Sequence, residues 1–422
     1  MKYDVIVVGG GPAGILAAIG AKRDNVNVLL IEKNKKLGKK ILISGGGRCN
    51  FSNISNVDKI ISNIPGNGKF LYSIFNQFSN FDLINFFEEE LGIRAKVEDY
   101  GRVFPDSDDA RTIVEALKKY LMNIGVQIMY ESTVKEVLTE KNKIIGVQLN
   151  DNRIIEAKAV VLAVGGISYP GTGSTGDGYI IAEKLGHKIN DLFPSSVPLN
   201  SDEKIIREKL LQGISLRDVE LSLYDLKGKR IITEVGDMIF THFGISGPVV
   251  FRISRYVSLT QRKLGNVPLK VVIDLFPSKN DQQLFNIIAE LINENPNKII
   301  ANGLNRLLPE KLIKVILQKL NINQKKMKEL HKKDINKLTY ILKNFSIQVT
   351  GTRSLSEAIV TGGGVNIKEV NPKTLESKLV EGLYFAGELL DIDGYTGGYN
   401  IQAAFSSGYV AGKSVGFYSL KQ

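Results

Sequence analysis

The sequence predicts an α/β chain: a Rossmann-type parallel-sheet domain split by an inserted β-barrel-like antiparallel domain and a helical subdomain. Three observations predict it. A β-branched run, Tyr3 to Val8, leads straight into the glycine turn Gly9-Gly10-Gly11-Pro12-Ala13-Gly14. A second apolar run near the C-terminus, GLYFAGELL from Gly382 to Leu390, precedes a glycine-rich loop and an apolar helix. Between them, from about Pro194 to Leu275, apolar and polar residues alternate with the period of half-buried strands.

The first element is the most specific. YDVIVV suits a central parallel strand, and Gly9, Gly11 and Gly14 fit G-x-G-x-x-G. Gly9 permits the tight turn, Gly11 lets the backbone approach a pyrophosphate, and Gly14 lets helix and strand pack closely. Ile15 to Ala21 reads as the helix whose N-terminus faces the phosphates, and Val26 to Ile31 as the second strand. Glu32 closes that strand at the offset of a ribose-binding acid, where its charge would repel a 2′-phosphate. These elements in this order predict a dinucleotide site. Asp4 and the glycine-proline break argue against a signal peptide, and a strand-turn-helix explains the N-terminus better.

Further stations follow. Val160 to Val164 is a buried strand ending in Gly165-Gly166, and Thr172 to Gly178 is a loop feeding the helix YIIAEKLGH. SVPLN, VELSLYDLKGKRIITEV, DMIFTHFGISGP and VPLKVVIDLF read as antiparallel strands, with Lys227-Gly228 a hairpin turn. Lys279 to Asn344 is Lys-rich and helical. Gly362-Gly363-Gly364 lacks the fingerprint and a following helix, so no separate nicotinamide domain is expected. The expected domains are 1–193 and 357–422 for the dinucleotide-binding part, 194–277 with 345–356 for the β insertion, and 278–344 for the basic helices.

Composition narrows the function classes. The 422 residues are too many for one ordinary core. A formal charge of +11 points to nucleic acid, phosphorylated ligands or an anionic surface, or else to a Lys-rich composition with no partner. One cysteine, Cys49, excludes an internal disulfide, a CxxC pair and a multi-cysteine zinc site; the three scattered histidines give no metal cluster. No apolar run is long enough for a bilayer, and a cytoplasmic location is expected.

VVGGGPAG with Glu32, a strand ending AVGG, and GLYFAGE followed by TGGYNIQAA resemble FAD-binding flavoproteins of the fumarate-reductase and glutathione-reductase type. More narrowly, KKILISGGGRCNFSN, YPGTGSTGDGY, THFGISGP and ESKLVEGLYFAGELLDIDGYTGGYNIQAAFSSG resemble the BaiN-like (YhiN-like, "aminoacetone oxidase") family nearly end to end. The resemblance implies FAD at Gly9, Gly11, Pro12, Ala13 and Gly14, with Glu32, Lys33 and Lys40 near the adenosine ribose. It implies adenine beside the Val134 backbone, Gly165 and Gly166 close to the cofactor, and Gly387 and Glu388 at the ribityl chain. Gly397, Gly398, Asn400, Ile401 and Gln402 would bring helix N-terminal amides to the flavin pyrimidine edge, where such a terminus stabilises negative charge. The loop Ser44, Gly45, Gly46, Gly47, Arg48, Cys49 and Asn50 would fold over the cofactor.

Family members are associated with aminoacetone oxidation, reduction of a conjugated C=C bond in bile acid intermediates, and conversion of a ribosomal RNA uridine to dihydrouridine. The favoured expectation is a C=C reductase drawing electrons from NAD(P)H and acting on ribosomal RNA or another anionic substrate. The alternatives are a small-molecule flavoprotein and a non-catalytic flavin-bound RNA-binding protein. Proton-donor candidates are His242 in THFG and Tyr169 in SYP; Arg102 in YGRVFP is a candidate anchor for an anion. Cys49 is either a flavin-proximal nucleophile or, more commonly for a lone cysteine, a buried small residue.

Overall fold

The computed structural model describes residues 2–422. It divides into two compact units, Met1–Phe193 with Leu355–Gln422, and Pro194–Ser354.

In the first unit the strand Lys2–Val8 is central. Val5, Ile6 and Val7 are wholly buried, as a parallel strand covered on both faces requires. Val28–Ile31 and Ile154–Leu162 flank it, both parallel, with Val7 paired to Leu30 on one side and Val161 on the other. Gln127–Met129 extends the sheet beyond Val28–Ile31. Lys143–Leu149 and Val134–Glu140 extend the other side as an antiparallel meander. Leu383–Phe385 returns from the far end of the chain to pair parallel with Val160–Leu162. This return places the C-terminal glycine loop at the same carboxyl edge as the N-terminal one.

Two helices carry the site. Pro12–Ala21 starts with proline, whose missing N–H has no intrahelical partner to lose. A Cβ on Gly14 would fall 1.7 Å from Gly9 O, so the fingerprint's packing role is sterically enforced. The C-terminal helix Tyr399–Ser419 lies against Pro12–Ala21 at backbone contact. Gly408, Gly412 and Gly416 repeat every fourth residue and face Ala13, Ala17 and Ala21.

The second unit holds a seven-stranded sheet and the Lys-rich helices around one core. Its strand path runs Phe345–Val349, Leu269–Asp274, Ser215–Tyr224, Arg230–Phe240, Gly244–Ser246, Leu199–Asn200, Gly351–Thr352. Leu221 and Val271 of the sheet share a cluster with Leu284, Ile288 and Leu338 of the helices. The expected Lys227-Gly228 turn is present; the Asp225 carboxylate accepts from Lys227 N and Lys229 N at 2.9 and 2.8 Å. One element corrects the sequence reading. Pro248–Leu264 is a 17-residue helix inside the stretch read as antiparallel β. Its buried residues Val249, Val250, Ile253 and Val257 recur at helical spacing.

Candidate active site

The dinucleotide turn caps the central strand. Nothing lies within 4 Å of the position a Cβ on Gly11 would take, so the backbone there faces open space. Glu32 is buried at the end of the second strand. Its Oε2 accepts from Gly10 N at 2.7 Å, and its Oε1 from Asn34 N and Nδ2 at 2.7 and 2.6 Å. Ser132 N donates to Glu32 O at 3.2 Å, which brings the start of the Val134 strand alongside. Lys33 pairs with Asp177 at 2.7 Å, and Asn34 Nδ2 donates to Thr172 O at 3.2 Å. The Thr172–Gly178 loop is thereby held against the residues following Glu32. Burial pushes the Asp177 carboxyl up more strongly than any single influence, but the Lys33 charge and hydrogen bond, the Thr175 hydroxyl and a backbone hydrogen bond together hold it below its ordinary value.

A second network joins three distant segments. Lys40 Nζ donates to Glu388 Oε2 at 2.6 Å and to Ser168 Oγ at 2.9 Å. Ser168 Oγ and Thr361 N donate to Glu388 Oε1 at 3.1 and 2.9 Å. Thr361 Oγ1 in turn accepts from Ile167 N and Ser168 N, just after Gly165-Gly166. The Glu388 carboxylate is therefore oriented by three donors.

The loop Ile41 to Asn53 docks onto the C-terminal helix. Gly45, Gly46, Gly47 and Cys49 all have positive φ. Ser52 Oγ donates to Gln402 Oε1 at 2.6 Å, and Asn53 Nδ2 donates to Gly397 O and Tyr100 O, both at 3.0 Å. Gly398 has φ +92, and a Cβ there would fall 2.3 Å from Ser52 O. Asn50 Oδ1 is buried without a hydrogen-bond partner and lies 3.0 Å from that same Cβ position. An orphaned buried acceptor beside a helix N-terminus marks a place for a donor-bearing ligand. The Tyr399, Asn400 and Ile401 amides open the helix; the Gln402 N–H already donates to Gly398 O at 3.0 Å. The Asn400 side chain closes its own loop through Gly394 and Tyr395. Asn400 and Gln402 thus hold the loop with their side chains, while the open amides are those of Tyr399 to Ile401.

The reactive candidates fall in different settings. Arg48, in the loop expected to fold over the cofactor, sits between Glu98 at 2.7 Å and Asp108 at 3.2 Å, over the Phe104 ring. Lys96 pairs with the same Asp108. Arg102, expected to hold an anion, donates through Nε to Asp99 O at 3.0 Å and lies 3.8 Å from Glu98. Arg48 beside it holds the Glu98 carboxyl below its ordinary range. The hairpin of Ala95–Glu98 and Arg102–Pro105 supplies Glu98 and Phe104, and the residues just after it supply Asp108, each fifty or more residues after Arg48. Cys49 is wholly buried, and desolvation pushes its thiol up to about 12. Tyr169 is 39% exposed with φ +52, one residue after Ser168. His242 is exposed in the turn before Gly244–Ser246 of the second unit, edge-on to Phe243. Gly387 has φ +72, with Ala13 2.7 Å from its Cβ position, so the Glu388 turn and the first helix touch.

The open face at Gly11, the buried Glu32, the orphaned Asn50 acceptor and two convergent helix N-termini fit an extended dinucleotide carrying an adenosine at one end and a polar ring at the other. That fold and that site define a flavoprotein: an FAD-dependent oxidoreductase of Rossmann type. Residues 3–414 match the HI0933-like protein Rossmann domain, and the chain belongs to that family. It is 33% identical over 412 residues to a Haemophilus influenzae protein named ribosomal RNA dihydrouridine synthase, covering 97% of this chain and 98% of the relative. It is 32% identical to a Clostridium scindens protein named 3-dehydro-bile acid delta(4,6)-reductase, covering 97% and 98%. Its fold is similar to 3-ketosteroid delta1-dehydrogenase from Sterolibacterium denitrificans, with TM-score 0.55, 14% identity, and coverage of 99% of this chain and all of that one.

Sequence reasoning missed Ser168, Thr361, Ser52, Asn53 and Glu98. Each acts through a partner far away in the chain, so no local pattern announces it.

Proposed function

We propose that this protein is a reductase of a C=C bond conjugated to a carbonyl, with a ribosomal RNA uridine as substrate and NAD(P)H as the transient electron source. The observation that carries the reading is the similarity, 33% identity over 97% of the chain, to a relative named ribosomal RNA dihydrouridine synthase. Uracil C5=C6 conjugated to C4=O is the bond such a reaction saturates. The net charge of +11 suits a polyanionic substrate.

Bound FAD supplies the two-electron chemistry. Glu32 would accept from the adenosine ribose hydroxyls, and the amides at Gly11 to Gly14 would hold the pyrophosphate at the first helix N-terminus. The Val134 backbone would hold the adenine, and the backbone at Gly165 and Gly166 would pass close to the cofactor. The Tyr399 to Ile401 amides would face the pyrimidine edge, where Asn50 Oδ1 would be available to accept from a ring N–H. Lys40, held by Glu388, orients the middle of the cofactor. Tyr169 donates the proton that completes saturation, and His242 is the second candidate for that step. Cys49 is a packing residue of the loop, since a thiol pushed up to about 12 is protonated at neutral pH.

The test is to delete the gene and map dihydrouridine across ribosomal RNA, then restore it with wild type. Loss of one modified position, regained on complementation, supports the reading. An unchanged map removes it. A second reading, a small-molecule enone reductase, is favoured by the bile-acid-reductase relative; NAD(P)H-dependent turnover of a steroid enone with an unchanged RNA map would select it.

A further inference from the structure

The Lys-rich region of the second unit is not uniformly a solvated face. Several of its lysines are matched: Lys314 with Glu310, Lys325 with Asp334, Lys343 with Asp274, and Lys319 over the Phe345 ring. Lys332, Lys333 and Lys337 are exposed and have no side-chain partner among the described residues. All three lie on the helix Lys332–Lys343.

That helix has a sharply divided surface. Ile335, Leu338, Thr339 and Leu342 are buried in the unit's core. Lys333, Lys337 and Tyr340, spaced by four and three residues, fall on one outward stripe. Asn336 lies on the edge of the same stripe and is exposed. Tyr340 is 68% exposed, an aromatic ring left in water on the same stripe as Lys333 and Lys337. The neighbouring helix Asp281–Glu294 carries the acids Asp281, Glu290 and Glu294, so the cationic stripe does not continue onto that helix.

A solvated face explains exposed lysines and leaves the exposed tyrosine unexplained. A ring at the end of a row of cations spaced one helical turn apart can bind single-stranded nucleic acid: phosphates on the cations, an unstacked base on the ring. Resting on the RNA reading above, we propose that Lys333, Lys337 and Tyr340 form a docking surface for a single-stranded or looped segment of the RNA substrate. It contributes affinity to substrate capture and plays no part in the redox step.

The test uses full-length FAD-loaded protein and a short single-stranded RNA taken from ribosomal RNA, with dissociation constants measured across a range of salt. Lys333→Ala/Lys337→Ala should lower the salt dependence by about 1.4, two contacts at about 0.7 each. Tyr340→Ala should weaken binding roughly tenfold, and Tyr340→Phe should restore it, because the ring face and not the hydroxyl carries the base. FAD content stays at the wild-type level in every variant. Unchanged affinity and salt slope in the variants, with wild type binding RNA, overturns this surface and leaves the functional reading standing. No binding of ribosomal RNA by wild type overturns both. Equal binding of wild type to vesicles of anionic phospholipid, lost in the same variants, also overturns the RNA assignment of the surface.

Discussion

Lys40 and Glu388, 348 positions apart in the sequence, meet at 2.6 Å and tie the Glu32-proximal loop to the C-terminal glycine loop. Both side chains are mostly shielded from water, so the pair is worth more than a surface contact. Lys40→Met leaves Glu388 with only its neutral donors and should reduce FAD retention. Glu388→Gln should do the same. The double variant should lose less than the sum, with a coupling of about 1–2 kcal/mol in a double-mutant cycle on chemical denaturation. Strictly additive losses would show that the two side chains act independently.

Cys49 lies at left-handed φ in a loop of glycines, fully buried. The unfolded thiol ionises near 9.0 and the folded one near 12. The folded state therefore holds its proton longer, and stability should fall as pH rises through that window. Native protein should resist alkylation at neutral pH and label fully in denaturant. Cys49→Ala should keep FAD and turnover. A severalfold drop in kcat with the FAD content intact would restore the cysteine to the chemistry.

The contact of the two site helices sets the third expectation. A Cβ on Gly412 would lie 2.1 Å from Ala17 O, against backbone that cannot yield. Gly412→Ala should destabilise by about 1–3 kcal/mol and shift the helix N-termini enough to weaken FAD binding. Gly171→Ala, where nothing lies within 4 Å, should stay within about 0.5 kcal/mol of wild type. Denaturant midpoints measure both, and equal midpoints would refute the close-packing account.

Those helices also show how much was legible. The first strand, turn and helix follow from local pattern alone: β-branched run, glycine spacing, terminal acid. The C-terminal helix was legible for the same reason. The Gly408, Gly412, Gly416 repeat was equally visible, but its meaning needs the facing helix. Pro248–Leu264 was lost because its neighbours alternate, and its own 3–4 spacing was read as part of their texture. Arg48 and Arg102 looked like cations awaiting a ligand, since Glu98 is paired with Arg48 only by a hairpin that brings the segments together. Burial of Cys49 has no local signature. Local chemistry was readable; long-range satisfaction of charge was not.

Glu32 makes the adenosine end testable. Its carboxylate accepts from Gly10 N and Asn34, and faces the open turn at Gly11. Purified protein should be yellow with FAD and not FMN. Glu32→Arg should lose the colour, and Glu32→Gln should hold FAD roughly ten- to a hundredfold more weakly, the equivalent of about 1.5–3 kcal/mol for a charged hydrogen bond. The flavin spectrum after gel filtration reads the result. Full retention in Glu32→Arg would place the ribose elsewhere.

The last expectation concerns acid. His187 is buried edge-on to Phe385, with Nδ1 3.2 Å from Glu369 Oε2 and Nε2 2.8 Å from Ser377 Oγ. Ser377 Oγ already accepts from Leu379 N and Val380 N, so its hydroxyl hydrogen donates to Nε2. The ring is thereby assigned neutral, with the proton on Nδ1 facing Glu369. Desolvation is the larger influence and lowers the pKa from its ordinary 6.5; Glu369 opposes it without overcoming it. A folded pKa below the unfolded one means that the unfolded chain binds the extra proton first. The stability His187 contributes is present above 6.5 and is lost as pH falls through the lowered folded pKa. Urea midpoints measured from about pH 8 down to about pH 5 should therefore fall more steeply in wild type than in His187→Gln, whose side chain does not titrate there. Parallel profiles would mean that the ring takes its proton as readily folded as unfolded, and that burial against Phe385 is not what sets its charge.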